Sequence, residues 1–90
     1  MTNTKDPDQM DGYDIADLVI EMFTNLCSED VGHKTIVTSD RIVVAVEALP
    51  EDYPKLIGSK GVIYEAIKTY ARALSTKYNY RIEILLSEML

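Results

Sequence analysis

The sequence predicts an α+β domain with the element order α-β-β-α-α-β. Three observations carry that prediction. Apolar residues at three- and four-residue spacing mark an amphipathic helix near the start. Two stretches rich in β-branched residues follow, separated by a short polar turn. Two further helical segments, divided by Gly-Ser-Lys-Gly, then lead into a last stretch of alternating apolar residues.

The first helix rests on Ile15, Leu18, Val19, Met22, Phe23 and Leu26, which line one face. Asp11 or Asp14 can cap its start, and Asp17 suits the positive end of its macrodipole. SEDVG, residues 28–32, reads as the loop that ends it. The strands are HKTIVT (33–38) and RIVVAVEA (41–48). Ile42, Val44 and Val46 alternate with Arg41, Val43, Ala45 and Glu47, and Ser39-Asp40 makes the turn of an antiparallel hairpin. Pro50 is expected to open a short helix running through Lys55 to Ile57, with Glu51 and Asp52 at its positive end. The longer helix is expected over 62–75, with Ile63, Ala66, Ile67, Tyr70 and Leu74 as its buried stripe. KYN (77–79) is a loop, and YRIEILL (80–86) is a strand with Tyr80, Ile82, Ile84 and Leu86 on one face.

Ninety residues make one domain, and 47% hydrophobic content is that of a globular chain. Residues 1–11 are polar and acidic, contain Pro7 and show no periodicity, so they are expected to form a disordered tail, with the domain over 12–90. No run of 18 apolar residues is present, so no membrane span is expected, and the N-terminus lacks the apolar region of a signal peptide. Cys27 is the only cysteine, which suits the reducing cytosol, so a cytoplasmic location is expected. His33 is the only histidine, and no His/Cys metal cluster or Ser-His-Asp triad stands out. No acid–base pair or nucleophile is suggested, so neither catalysis nor a cofactor is expected.

The net charge of -6 argues at first sight against a nucleic-acid partner. Its distribution points the other way. Asp6, Asp8, Asp11, Asp14, Asp17, Glu21, Glu29 and Asp30 face only Lys5 in the first 31 residues. Lys55, Lys60, Lys68, Arg72, Lys77 and Arg81 face only Glu65 over 55–81, a local charge of +5. A surface potential depends on where charges sit as well as on their sum. The competing account is that an acidic helix and a basic helix are each simply solvated.

The basic segment surrounds two glycines that need explaining. Each Gly in a helix interior costs roughly 1 kcal/mol relative to Ala. Gly58-Ser59-Lys60-Gly61 falls at a junction of helices, where Gly can take φ > 0 and lets a backbone approach closely. One glycine would suffice for a helix C-cap. Two, with Ser-Lys between them and a helix N-terminus directly after, make a site suited to a phosphate backbone.

At these residues the sequence resembles the K-homology (KH) domain, whose GXXG loop clamps single-stranded nucleic acid over about four nucleotides. The resemblance runs from about Ile15 to Leu86. It is carried by ADLVIEMFTNL, by LPEDYPKLIGSKG and by VIYEAIKTYARAL. The element order resembles the type II arrangement, and the length resembles the small single-domain bacterial KH proteins of the KhpA type. The resemblance implies a three-stranded mixed sheet with helices packed on one face. It implies single-stranded RNA as partner, and work as an RNA chaperone or post-transcriptional regulator. It also implies self-association or pairing with a larger KH-containing RNA-binding protein, with no membrane partner. The family often carries a basic residue first in the loop and another just after it. Here those positions hold Ser59 and Val62, so this loop is less positive than many.

The resemblance places bases in a shallow groove between two helices and a sheet edge, with phosphates on Gly58, Ser59, Lys60 and Gly61. Ile57 and Val62 flank the loop and are candidates for either groove floor or core. Lys60, Tyr64, Lys68 and Arg72 recur every four residues and form one helical stripe, expected to be distinct from the buried one. It reads as a phosphate track with one aromatic. Equally, Lys68 and Arg72 can serve only the negative end of their own helix. Lys55 joins the candidates through its place beside the loop. Tyr53, Tyr78 and Tyr80 are expected to pack at element ends, Phe23 in the core, and Cys27 as a small hydrophobe. The alternative function is a KH-fold protein–protein module with little RNA affinity.

Overall fold

The computed structural model describes residues 10–90. The expected acidic tail therefore lies outside the described residues over 1–9. Its last two residues belong to the folded part: Met10 packs against the core, and Asp11 caps the first helix.

Helix α1 spans Gly12–Thr24. Asp11 Oδ1 accepts from the Asp14 N–H at 2.9 Å, and Asp14 Oδ2 accepts from the Asp11 N–H at 3.0 Å. Both acids thus form one reciprocal cap, which satisfies two amides at the helix start. Ile15, Ala16, Val19 and Phe23 form the buried face. Leu26 lies past the helix end and is 42% exposed, because the chain turns there through Leu26 N–H to Phe23 O and Cys27 N–H to Thr24 O.

Strands β1 (Gly32–Val37) and β2 (Arg41–Ala48) form the hairpin, antiparallel, with Val37 opposite Ile42 and Ile36 opposite Val43. Thr38 N–H donates to Arg41 O at 2.8 Å and closes the Ser39-Asp40 turn. Strand β3 (Arg81–Glu88) pairs with β2 in parallel, Ile82 beside Ile42 and Ile84 beside Val44. The sheet order is β1-β2-β3, a three-stranded mixed sheet. Ile42, Val44, Val46 and Ala48 are buried against the helices, while Arg41 and Glu47 on the other face are exposed. This is the α+β architecture with helices on one face that the type II resemblance implies.

Helix α2 is short, Tyr53–Ile57, and it starts later than Pro50. Residues 50–52 form a turn, with Asp52 N–H and Tyr53 N–H both donating to Leu49 O at 2.9 Å. The proline inside the helix start is Pro54. Its missing N–H costs nothing in the first turn, so either proline satisfied the local rule. Leu56 anchors α2 in the core with no exposure. A full side chain of that size contributes about 1.5–3 kcal/mol of burial.

Helix α3 runs Val62–Lys77, two residues beyond the expected end. Its buried residues are Ile67, Ala71 and Ser75, with Ile63, Tyr64 and Leu74 half-buried beside them. Ala66 and Tyr70 are exposed, Tyr70 by 49%, so the buried stripe is rotated from the expected one. Tyr64 belongs to the packed face. The stripe Lys60/Tyr64/Lys68/Arg72 is consequently the border of the buried face and not a separate surface. Tyr53, Tyr78 and Tyr80 pack against the core from element ends, as does Cys27.

Candidate nucleic-acid interface

The loop between α2 and α3 is a single 3-10 turn over Ser59–Gly61. Gly58 N–H donates to Pro54 O at 2.9 Å and ends α2. Gly61 N–H then donates back to Gly58 O at 3.3 Å, and Val62 N–H to Ser59 O. Three residues of the loop carry positive φ: Gly58 at 73°, Lys60 at 56° and Gly61 at 77°. The left-handed region costs a non-Gly residue roughly 1–2 kcal/mol. Lys60 accepts that cost at the exposed tip, and such strain concentrates where a local geometry is functional.

The two glycines serve different needs. A Cβ at Gly58 would run into the Ile63 side chain and lie 3.0 Å from the Ile63 backbone nitrogen. The close approach at Gly58 is therefore made by the protein's own next helix. A Cβ at Gly61 would meet nothing within 4 Å, so its surroundings stay open. Gly61 is the N-cap of α3, and no side chain caps that helix. The positive dipole end of α3 is thus presented at the loop, with the Val62 N–H already donated to Ser59 O.

The basic residues differ in how far their charge is already used. Lys60 is exposed and makes no ion pair among the described residues. Lys55 Nζ lies 3.2 Å from Asp52 Oδ1. Lys68 Nζ lies 2.9 Å from Glu65 Oε2 and 4.6 Å from the centre of the Tyr64 ring. Arg72 is exposed, with no ion pair among the described residues. Lys68 and Arg72 line one concavity of about 180 Å³ with Ile82, Glu83 and Ile84 of β3. So α3 and the free edge of β3 form a groove wall and floor, and the loop opens α3. Tyr64 bridges them: its hydroxyl donates to the Ile84 carbonyl at 2.9 Å, and its ring stands 6.3 Å from that of Phe23. Val62 is 61% exposed and so is not core, whereas Ile57 is half-buried.

Asp52 was expected only as a helix-start charge. It is 1% exposed and accepts from the Ser28 N–H, the Ser28 hydroxyl and Lys55 Nζ, all within 3.2 Å. The Ser28 amide, with Lys55 and the Ser28 hydroxyl, holds the carboxyl below the usual carboxylate range, against the opposing effect of burial. Burial, and then the Asp52 charge, push the Cys27 thiol up, so it stays protonated at neutral pH. Asp52 thereby ties the α1–β1 loop to the start of α2, directly before the Gly58–Gly61 loop. No local pattern could reveal a partner 24 residues away. The sheet edge that the resemblance implies is that of β3, which no local pattern identifies, because it depends on which strand β3 pairs with.

Among the described residues, no group of three or more His, Cys, Asp or Glu is placed to hold a metal, and no helix is long and apolar enough to cross a membrane.

Comparison with known proteins finds two relatives with the same description. The chain is 31% identical over 58 residues to the RNA-binding protein KhpA of Clostridium acetobutylicum, covering 64% of this chain and 77% of that one. It is 32% identical over 56 residues to the RNA-binding protein KhpA of Clostridium perfringens, covering 62% of this chain and 75% of that one. No family model and no solved structure matches it.

Proposed function

The chain belongs to the KhpA family of small KH-type proteins, and from that premise we propose that it binds single-stranded RNA along α3, with the Gly58–Gly61 loop on the phosphates. The observation that carries this reading is Lys60. It stands in a left-handed conformation at an exposed tip, unpaired among the described residues, above a helix N-terminus that no side chain caps. Both features favour an anion held by backbone and ammonium together. Gly61 leaves the approach open. Ser59 presents a hydroxyl beside it, and Arg72 extends the positive wall beyond the loop. Lys55 and Lys68 contribute less, since each already faces a carboxylate.

The protein is a binding module in this reading and not an enzyme. One groove of this size binds RNA weakly. Work as a cytoplasmic RNA chaperone or post-transcriptional regulator would then draw on a second groove, from another copy or a larger KH-containing partner, through effective concentration.

A second reading has its own observation. Two of the four lysine or arginine candidates are neutralised by Asp52 and Glu65. A KH fold with so little free charge fits a protein–protein module. The variant carrying Ser59→Asp with Lys60→Asp separates the two. It keeps both glycines, so circular dichroism should match the parent, and Asp tolerates the left-handed position at 60. Gel shift with a single-stranded RNA should show no complex. Undiminished binding by the folded variant would remove the groove reading.

A further inference from the structure

We infer that Arg41 and Arg81, side by side on the open face of the sheet, form a second phosphate site for RNA that runs past the groove. The inference rests on the RNA reading above and carries the strand beyond the residues placed there.

The two arginines are neighbours by register. Arg41 of β2 stands beside Arg81 of β3, in the row before Ile42 and Ile82. Ile42 is buried against the helices, so Arg41 and Arg81 project from the opposite face, where both are exposed. Neighbouring strands lie about 4.8 Å apart, which brings two guanidinium stems close together. Their backbones are fixed from both sides. Arg81 N–H donates to Asp40 O at 2.9 Å, and Thr38 N–H donates to Arg41 O at 2.8 Å.

Like charges opposite one another destabilise a sheet. Two carboxylates are at hand to offset them and do not. Glu83 stands diagonal to Arg41 on the same face, and Asp40 precedes Arg41 in the chain. Neither forms an ion pair with the arginines among the described residues. The Asp40 carboxylate instead accepts from the Thr38 hydroxyl at 3.4 Å. Both planar forks are thus left for an anion from outside, and a phosphate takes two forks on its separate oxygens.

The pair also lies where a strand in the groove arrives. Helix α3 and strand β3 run in opposite directions: the chain returns from Lys77 to Arg81 over three residues, and Tyr64 near the start of α3 meets Ile84. A strand that leaves the Gly58–Gly61 loop along α3 therefore travels toward the start of β3. Ile82 and Glu83, with Lys68 and Arg72, line the concavity on this path, and Arg81 is the next residue before them. No further strand pairs with β3, so the way across its edge to the open face is not blocked by the sheet.

Oligonucleotide length tests the idea. One KH groove holds about four nucleotides, so single-stranded RNAs of four and of about eight are compared by fluorescence titration near physiological salt. Arg41→Gln and Arg81→Gln should each weaken the longer RNA about tenfold, the worth of one charge-assisted contact, and leave the shorter alone. The slope of log K against log salt should flatten by about 0.7 on the longer RNA only. Melting temperatures should hold or rise, since one of two like charges is gone. Lys34→Gln removes the same charge from the same face, beside Ala45, and should change neither RNA. Equal losses on both lengths, or an equal loss from Lys34→Gln, would mean a general charge effect and overturn the site. Unchanged binding of the longer RNA would overturn this inference alone and leave the pair to an acidic protein partner. Variants that fail to fold would make the arginines structural and overturn it too. A parent that binds neither RNA would overturn the RNA reading and this inference with it.

Discussion

Gly58 sits directly against Ile63: a Cβ there would clash with the Ile63 side chain and press on its backbone nitrogen, 3.0 Å away. Gly61, three residues on, has open space around it. Both have positive φ, but Gly58, with ψ -178°, occupies a region essentially restricted to glycine. Gly61, with ψ 13°, is in the left-handed region that other residues visit at a cost of ~1–2 kcal/mol. Gly58→Ala should therefore cost ~3 kcal/mol or more, strain and clash together. Gly61→Ala should cost only ~1–2 kcal/mol. Each kcal/mol moves the midpoint about 4–8 °C in a domain of this size. Thermal melts of both variants check the order, and equal shifts would contradict it.

The buried Asp52 predicts an acid limb. Its carboxyl titrates lower in the folded state than the ordinary value near ~3.9, chiefly because of the Ser28 amide. A depressed folded pKa contributes stability above the ordinary value, and that contribution fades as pH falls through the folded one. Asp52→Asn should thus be less stable than the parent at neutral pH, with the gap closing below about pH 4. Urea unfolding at pH 7 and pH 3 measures the gap. A gap independent of pH would mean that the charge of Asp52 contributes nothing.

Much of this architecture was legible because it is periodic. The alternation in β2 and the stripe in α1 identify their buried faces, and Ser39-Asp40 sets the hairpin register. The buried face of α3 keeps Ile63, Ile67 and Leu74 of the stripe its apolar pattern predicts but is rotated away from Ala66 and Tyr70. Its sequence carries apolar residues on two adjacent stripes, one through Ala66 and Tyr70 and one through Tyr64, Ala71 and Ser75. Alanine and serine barely weigh on a hydrophobic pattern, so packing against Phe23 and β3 decided the matter. The loop residues were legible through the two glycines. Their environments were not, since Ile63 crowds one and solvent surrounds the other. The Asp52–Ser28 tie is a long-range consequence of the fold that no local signal encodes, and the sheet edge came only from the resemblance, without the strand that supplies it.

Lys68 and Arg72 should behave differently although both lie on the groove wall. Lys68 is engaged by Glu65 and the Tyr64 ring, so Lys68→Ala should lower stability by at most ~1 kcal/mol and leave the salt dependence of RNA binding alone. Arg72 makes no ion pair among the described residues. Arg72→Ala should flatten the slope of log K against log salt by about 0.7 and leave the melt nearly unchanged. Titrations at several salt concentrations distinguish them. The reverse pattern would place the phosphate track on Lys68.

The central claim is that Lys60 meets a phosphate, and salt tests it most directly. Each phosphate neutralised on a single strand contributes about -0.7 to the slope of log K against log salt. With Lys60 and Arg72 as the two contacts without an ion pair among the described residues, the parent chain should show roughly -1.4 on a short single-stranded RNA. Lys60→Ala should bring it to about -0.7, with base preference unchanged. A parent slope near zero, or a slope that Lys60→Ala leaves where it was, would contradict the account, and the loop would then be a helix connection only.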